Sequence, residues 1–260
     1  MKMSFKKHLK KFSAVICAVA ICMAFTACGS KGSGDKVYKV GMEPTFPPFD
    51  TTNEKGDLDG FDVDLMKAIA KDQGFKVEFK SLEFDGLITG LKSGNIDIVA
   101  SGMWASDDRK KEVDFSDTYY ESGLVVAVNA NDNKIKSIDD LDKNSKVAAQ
   151  IGTSSAELIQ KMQKEGKIKE AKIYNKVNDA VQDLQNGSVS ALINDKPVTK
   201  EYMNKQKGKI KIVGNPLNKE NLGIGVQKGN KELLDKINKG LANLKKSGEF
   251  DKLLKKWNLN

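Results

Sequence analysis

The 260-residue chain carries 43 basic residues, and only one of them, Arg109, is arginine. Lysine supplies all the others. A guanidinium differs in kind from an ammonium. It is planar, and its fork of N–H donors can hold a carboxylate through two parallel charge-assisted bonds. A lone arginine in so lysine-rich a chain points either to that chemistry or to a buried structural ion pair.

Other chemically capable residues fall just after short apolar runs. Glu43, Thr45 and Phe46 follow Val37–Met42. Ser101, Gly102, Trp104 and Arg109 follow Ile96–Ala100. Gly152, Thr153 and Ser154 follow Lys146–Gln150, and Asp195 follows Ala191–Asn194. In open α/β sheets, ligands bind beyond the carboxyl ends of the strands. The collected groups suit a zwitterion. Arg109 matches a carboxylate. Ser154-Ser155-Ala156-Glu157 has capping-box spacing, which predicts a helix start with free N–H groups facing an anion. Asp195 accepts from an ammonium, or else caps a helix before Lys196-Pro197. Phe46, Phe84 and Trp104 would wall a side chain, with a core role equally open for the two phenylalanines. Asp107 and Asp108 read as loop or cap residues.

These residues need a scaffold of alternating strands and helices. Val37–Met42 reads as a strand. Phe61, Leu65, Ala68 and Ile69 have helical spacing within 61–71. Strand 77–81, helix 85–93, strand 96–100 and the apolar run 124–128 follow. A second series runs as strand 146–150, helix 155–164, strand 172–174, helix 178–186, strand 191–194, helix 198–205 and strand 210–213. A last strand over 222–226 precedes helix over 232–257, broken near Gly248. Such alternation predicts an α/β fold with largely parallel sheets, and two series predict two lobes.

Composition narrows the function classes. The formal charge is +8. Five lysines (Lys2, Lys6, Lys7, Lys10 and Lys11) and no acids lie in residues 1–27, so removing them leaves +3. The remaining lysines are interspersed with acids, as in Lys67, Lys71, Asp72 and Lys76, which is a solvated surface and not the basic stripe of a nucleic-acid binder. Residues 1–27 read as an export signal: a basic start, then an apolar stretch over 12–27 shorter than the roughly 20 residues of a membrane span. It ends in Phe25-Thr26-Ala27-Cys28, which resembles a bacterial lipobox with Phe25 in the usual leucine position. Cys28 is then the expected lipidation site, and residues 28–36 a flexible Gly/Ser/Lys tether. Cys17, Cys22 and Cys28 are the three cysteines and His8 is the one histidine. The expected folded part therefore lacks disulfides, histidine catalysis and the usual Cys/His metal sites, and neither metal nor cofactor is expected. The run Leu222-Gly223-Ile224-Gly225-Val226-Gln227-Lys228-Gly229 has its third glycine one position late for a dinucleotide fingerprint, and reads as strand and turn.

Several motifs together resemble one family. They are Glu43 to Phe49 (EPTFPPF), Gly60 to Leu65 (GFDVDL), Phe84 to Ile88 (FDGLI), Asp108 to Lys111 (DRKK) and Val113 to Ser116 (VDFS). In this order and spacing they resemble the polar amino-acid branch of bacterial solute-binding proteins, lipoprotein form, from about Val37 to Trp257. The resemblance implies a two-lobe, periplasmic-binding-protein-like (type II) fold with two hinge-strand crossovers. Lobe one would be 37–122 plus 222–260, and lobe two 125–218. It implies that Phe46 and Phe84 flank the ligand side chain, and that backbone at Ser101 and Met103 touches it. Arg109, with backbone at Ser154, would hold an α-carboxylate, and Asp195 would help hold the α-ammonium. Gly102 and Thr153 fall within the same segments.

Three positions depart from the family pattern. Trp104 replaces a usual threonine, Gln150 stands where glutamine binders have lysine, and Glu43 stands where many relatives have aspartate. Glu43 favours a cationic side chain or orients loop backbone, and Trp104 offers a stacking face. The resemblance implies a monomeric receptor of an amino-acid ABC importer, taking a free polar or basic amino acid, handing it to a membrane permease, and lipid-anchored on the outer face of the cytoplasmic membrane. An alternative is an enzyme on the same scaffold, dehydratase-like and acting on a small carboxylic acid, with Glu43 or Asp195 as general acid. A sensory or adhesive surface role ranks below both.

Overall fold

A computed structural model describes residues 36–260. The leader, Cys28 and the tether before Lys36 lie outside the described residues, as do the expectations placed on them.

In chain order the elements are β1 (Val37–Met42), the short hairpin β2 (Thr51–Thr52) and β3 (Leu58–Asp59), α1 (Phe61–Gln73), β4 (Lys76–Ser81), α2 (Leu87–Ser93), β5 (Ile98–Val99), α3 (Asp107–Glu112), β6 (Val113–Phe115), β7 (Tyr120–Ser122) and β8 (Leu124–Asn129). There follow β9 (Lys146–Gln150), α4 (Ser154–Lys164), β10 (Glu170–Tyr174), α5 (Val177–Gln185), β11 (Ala191–Asp195), α6 (Lys196–Lys205), β12 (Ile210–Val213), β13 (Glu220–Leu222), β14 (Gly225–Gln227), α7 (Lys231–Ser247) and α8 (Glu249–Lys256).

The strands form two five-stranded sheets, ordered β4-β1-β5-β14-β6 and β10-β9-β11-β8-β12. This is the two-lobe α/β architecture. In each sheet three strands pair in parallel with the earliest of the three in the middle, as β4-β1-β5 and β10-β9-β11. Helices cover the connections, as parallel pairing requires. The expected parallel character fails at β14 and β8, which run antiparallel to their neighbours. Both arrive directly from the other lobe without an intervening helix, so nothing turns them round to run parallel.

The two crossings pair with each other. Strands β7 and β13 form an antiparallel ribbon with Ser122 opposite Glu220 and Tyr120 opposite Leu222. The single strand expected over 222–226 is thus two: β13 in the ribbon and β14 in the first sheet, with Gly223 between them donating its N–H to the Met103 carbonyl at 3.0 Å. At the first crossing Gly123 is required by space, because a Cβ there would lie 2.4 Å from the Asn218 carbonyl oxygen.

Packing follows the apolar periodicities. In α1, Phe61, Leu65, Met66 and Ile69 are fully buried. The helix stops at Gly74, which takes a left-handed conformation and returns its N–H to the Ala70 carbonyl. Phe61 lies 5.9 Å from the Tyr119 ring and 5.8 Å from Phe250 of α8, so the last helix is fastened to the first. In the second lobe Val126, Val128, Val147, Ala149, Ile159 and Ile193 fill one core. Elements α3, β6 and β7 had no counterpart in the periodicity. They are three to six residues long, and α3 buries none of its side chains.

Candidate ligand-binding site

In each sheet the strand order reverses direction beside the middle strand of the parallel trio. That switch point is where neighbouring connections leave toward opposite faces and open a crevice. In the first sheet it lies between β1 and β5, beyond whose ends come Glu43 and Ser101. In the second it lies between β9 and β11, which end at Gln150 and Asp195. The residues expected from strand ends therefore collect at two crevices.

Bonds run between these two sets. Arg109 Nη1 donates to the Trp104 carbonyl at 2.8 Å, within its own lobe, and Nη2 donates to the Gly152 carbonyl of the second lobe, also at 2.8 Å. Its guanidinium carbon lies 5.4 Å from the centre of the Phe84 ring. Two of the five guanidinium N–H groups are thus committed, and three face elsewhere. Burial pulls the pKa of Arg109 down, while the charges of Glu220, Glu157 and Asp195 oppose the shift. A cleft of about 450 Å³ opens beside Arg109, lined among others by Trp104, Ser106, Ser154, Lys219 and Asn221.

The predicted helix start is displaced by one residue. Thr153, and not Ser154, caps α4, its hydroxyl accepting from the Ala156 N–H at 3.2 Å. This frees the Ser154 hydroxyl, which donates to Glu220 Oε1 at 2.6 Å. Glu220 is buried and also accepts from Asn218 Nδ2 at 3.0 Å. Sequence reasoning missed this carboxylate.

Asp195 occupies the cap position of α6 but makes no side-chain cap bond. Its carboxylate instead accepts from the Ser122 hydroxyl at 2.6 Å. Burial first, and the charge of Glu220 second, push its pKa up to about 7, against the pull of Ser122 and Arg109. Arginine, two acids and a helix N-terminus thus meet where the lobes join.

The other end of the site centres on Glu43, which is 1% exposed. Its carboxylate accepts from the Thr45 N–H at 3.2 Å, the Thr45 hydroxyl at 2.8 Å and Gln150 Nε2 at 3.1 Å. Burial is the largest influence on its pKa and raises it. Gln150 Nε2 also donates to the Asn175 carbonyl at 3.0 Å. Both partners of that amide nitrogen are acceptors, which fixes the amide orientation. Gln150 Oε1 is then left buried without a protein partner.

The remaining candidates divide. Ser101 is fully buried and its hydroxyl accepts from the Glu43 N–H at 3.0 Å. Phe46 and Phe84 are both buried. Gly102 sends its N–H away from the crevice to Asp62 Oδ2 at 2.8 Å. The Met103 side chain is in the core with Leu87, Leu91 and Phe115. Trp104 is half-buried, and its backbone makes a bridge to Leu222. Beneath Gly102, Asp62 accepts a further bond from the Tyr119 hydroxyl at 3.1 Å, and burial lifts its pKa to about 7. Asp50, buried beside it, is raised as well, by burial and then by the charge of Asp62. Among the described residues no group of three or more His, Cys, Asp or Glu side chains is placed to hold a metal ion.

The family model described as bacterial extracellular solute-binding proteins, family 3, matches residues 38–260. The chain belongs to that family. This solute-binding protein is 35% identical to the arginine-binding extracellular protein ArtP of Bacillus subtilis, over 96% of this chain and 98% of the relative. It is 32% identical to the glutamine-binding protein GlnH of an ABC transporter of the same organism, over 95% of this chain and 97% of the relative. Among solved structures it resembles an ancestral arginine-binding protein bound to arginine, with a TM-score of 0.81, 45% identity and coverage of 85% of this chain and 97% of the other.

Proposed function

We propose that this protein is the receptor of an amino-acid ABC importer whose ligand carries a cationic side chain, arginine foremost. The observation that carries the side-chain assignment is the pair of buried acceptors at one end of the site. Glu43 is a buried carboxylate with only neutral donors around it, and Gln150 Oε1 is a buried acceptor with no partner. Leaving a buried acceptor such as Gln150 Oε1 without a donor costs on the order of 1–3 kcal/mol. A guanidinium supplies several N–H donors and the missing positive charge in one planar group. The 45% identity to an ancestral arginine-binding protein, solved with arginine and with glutamine, supports an amino-acid ligand and leaves the choice of a cationic one to Glu43 and Gln150.

The backbone of the ligand would lie at the opposite end. The three uncommitted N–H groups of Arg109 and the backbone of Ser154 at the start of α4 would hold the α-carboxylate. Asp195 would accept from the α-ammonium, and Phe46 and Phe84 would flank the side chain. Charged hydrogen bonds are worth roughly 1.5–3 kcal/mol each, so three or four supply much of the roughly 8 kcal/mol of micromolar binding. No bond of the ligand is broken in this reading. Lobe one would comprise 37–122 and 222–260, and lobe two 125–218. The chain would act as a monomer, exported, anchored through a lipid on Cys28, and would present the closed, loaded form to a permease.

A thermal-shift screen of the common amino acids tests this, since a specific ligand stabilises by mass action. L-Arginine should raise the transition most, with lysine or histidine next. A shift with glutamine alone would sink the cationic assignment. No shift with any amino acid would sink the receptor reading. Fatty-acid labelling that survives Cys28→Ala would exclude the anchor.

A further inference from the structure

The first residues of α5 lack a cap from their own lobe. Lys176 stands at the N-cap position and makes no side-chain cap bond. The N–H of Val177 is nevertheless satisfied, by the Thr45 hydroxyl at 3.2 Å. Thr45 lies 132 positions away, in the loop after β1 of the other lobe. A second bond joins the same residue to the second lobe: the Tyr202 hydroxyl of α6 donates to the Thr45 carbonyl at 2.9 Å. The remaining bonds of Thr45 go to Glu43, from its hydroxyl at 2.8 Å and from its N–H at 3.2 Å.

The hydroxyl has one proton, and the neighbours decide where it goes. Val177 N–H can only donate and the Glu43 carboxylate can only accept. The relay therefore has one direction: Val177 N–H to Thr45 oxygen, Thr45 O–H to Glu43. Donation into the hydroxyl oxygen strengthens the bond that the hydroxyl gives, and the converse holds as well. We propose that Thr45 is a positioning residue that couples recognition at Glu43 to lobe closure, by acting as a helix cap supplied across the cleft. The proposal rests on the reading of Glu43 as the partner of the ligand's side chain. A charged Glu43, fixed by a cationic group, pins the Thr45 proton and leaves the oxygen lone pairs aimed at α5. Closure then completes the cap, and opening breaks it together with the Tyr202 bond.

The prediction is kinetic. Thr45→Val keeps the shape and removes both hydroxyl roles. It should raise the dissociation rate of L-arginine, followed by stopped-flow fluorescence, about fivefold to tenfold, the worth of a lost cap. The association rate should stay within about twofold, since affinity changes within one interface fall mainly on dissociation. Thr45→Ser should restore the wild-type rate. In arginine-loaded protein, hydrogen exchange at the Val177 amide should be slow in wild type and Thr45→Ser and fast in Thr45→Val. Tyr202→Phe, which leaves Thr45 intact, should speed dissociation to a lesser degree. Wild type that binds arginine while Thr45→Val dissociates at the same rate would overturn the coupling and leave the receptor reading standing. Wild type that binds no amino acid would overturn the receptor reading and this proposal with it. A Thr45→Val rate change that Thr45→Ser does not rescue would assign the effect to packing and overturn the hydroxyl relay.

Discussion

Glu43 and Gln150 touch across the two sheets, Oε2 of one lying 3.1 Å from Nε2 of the other. Glu43 directly follows β1 and Gln150 ends β9, the middle strands of the two parallel trios, so one contact joins the two switch points. The contact also sets the polarity of that end of the site: the nitrogen of Gln150 is spent on Glu43 and Asn175, and its oxygen is what remains. Glu43→Gln should therefore weaken L-arginine binding about tenfold or more, the worth of a charged hydrogen bond. Glutamine should be affected much less. Calorimetry with both ligands checks this, and an equal loss for both would refute it.

Arg109 spans the lobes with two carbonyl bonds while retaining three donors. Arg109→Ala should weaken amino-acid binding at least about tenfold. Arg109→Lys should not recover it, because an ammonium cannot reach Trp104, Gly152 and a carboxylate in one plane. Affinity within about twofold of wild type in either variant would refute the clamp.

Asp195 gives a pH dependence whose sign is fixed. Its pKa in the fold is about 7, above the ordinary aspartate value. Between about pH 4 and 7 the folded protein then holds more protons than the unfolded chain, so stability falls as pH rises through that window and levels above it. Asp62, with a pKa of about 7, acts in the same direction. Asp195→Asn should flatten part of the slope in melting temperatures of ligand-free protein taken from pH 4 to 8. Affinity for the amino acid should run the other way and improve toward pH 7, because the α-ammonium needs an ionised partner. Glu220→Gln removes the second cause of the raised pKa and should move the midpoint of that affinity profile to lower pH. An unmoved midpoint would show that Glu220 does not act on Asp195.

Gly102 sets the floor under Phe46. Its φ is +51°, and a Cβ there would lie 2.7 Å from the Phe46 ring. Gly102→Ala should destabilise the protein by about 1–3 kcal/mol, the usual cost of overpacking. Displacement of Phe46 should also weaken ligand binding. Urea unfolding and calorimetry on one preparation test both effects, and a variant unchanged in both would contradict the packing.

The sequence made legible whatever was local. Runs such as Ile96–Ala100 and Lys146–Gln150 marked strands, and strand ends drew attention to Glu43, Arg109 and Asp195 before any geometry was known. What escaped was non-local. Glu220 lies in the polar run Asn218-Lys219-Glu220-Asn221, which reads as a solvated turn. It is buried because it pairs opposite Ser122, from a crossing 98 positions earlier. Thr45 stood out for following a strand and for lying in the Glu43–Phe49 motif, and for nothing more. Its partners Val177 and Tyr202 come from two helices of the second lobe, and no spacing within the loop announces them. The cap of α4 fell on Thr153 because both Thr153 and Ser154 are able cap residues, and only the bond of Ser154 to Glu220 decides between them.

The ribbon of β7 and β13 has a mechanical consequence. Two short strands side by side, bonded along their length, form a strip that is thin in one direction and broad in the other. Such a strip bends readily out of its own plane and resists sliding and in-plane rotation. The halves it joins are left with one soft motion, as a door has on a leaf spring. Glu43 to Gln150, Thr45 to Val177 and Arg109 to Gly152 are the contacts that such a swing would break and remake, without their having to find one another by search.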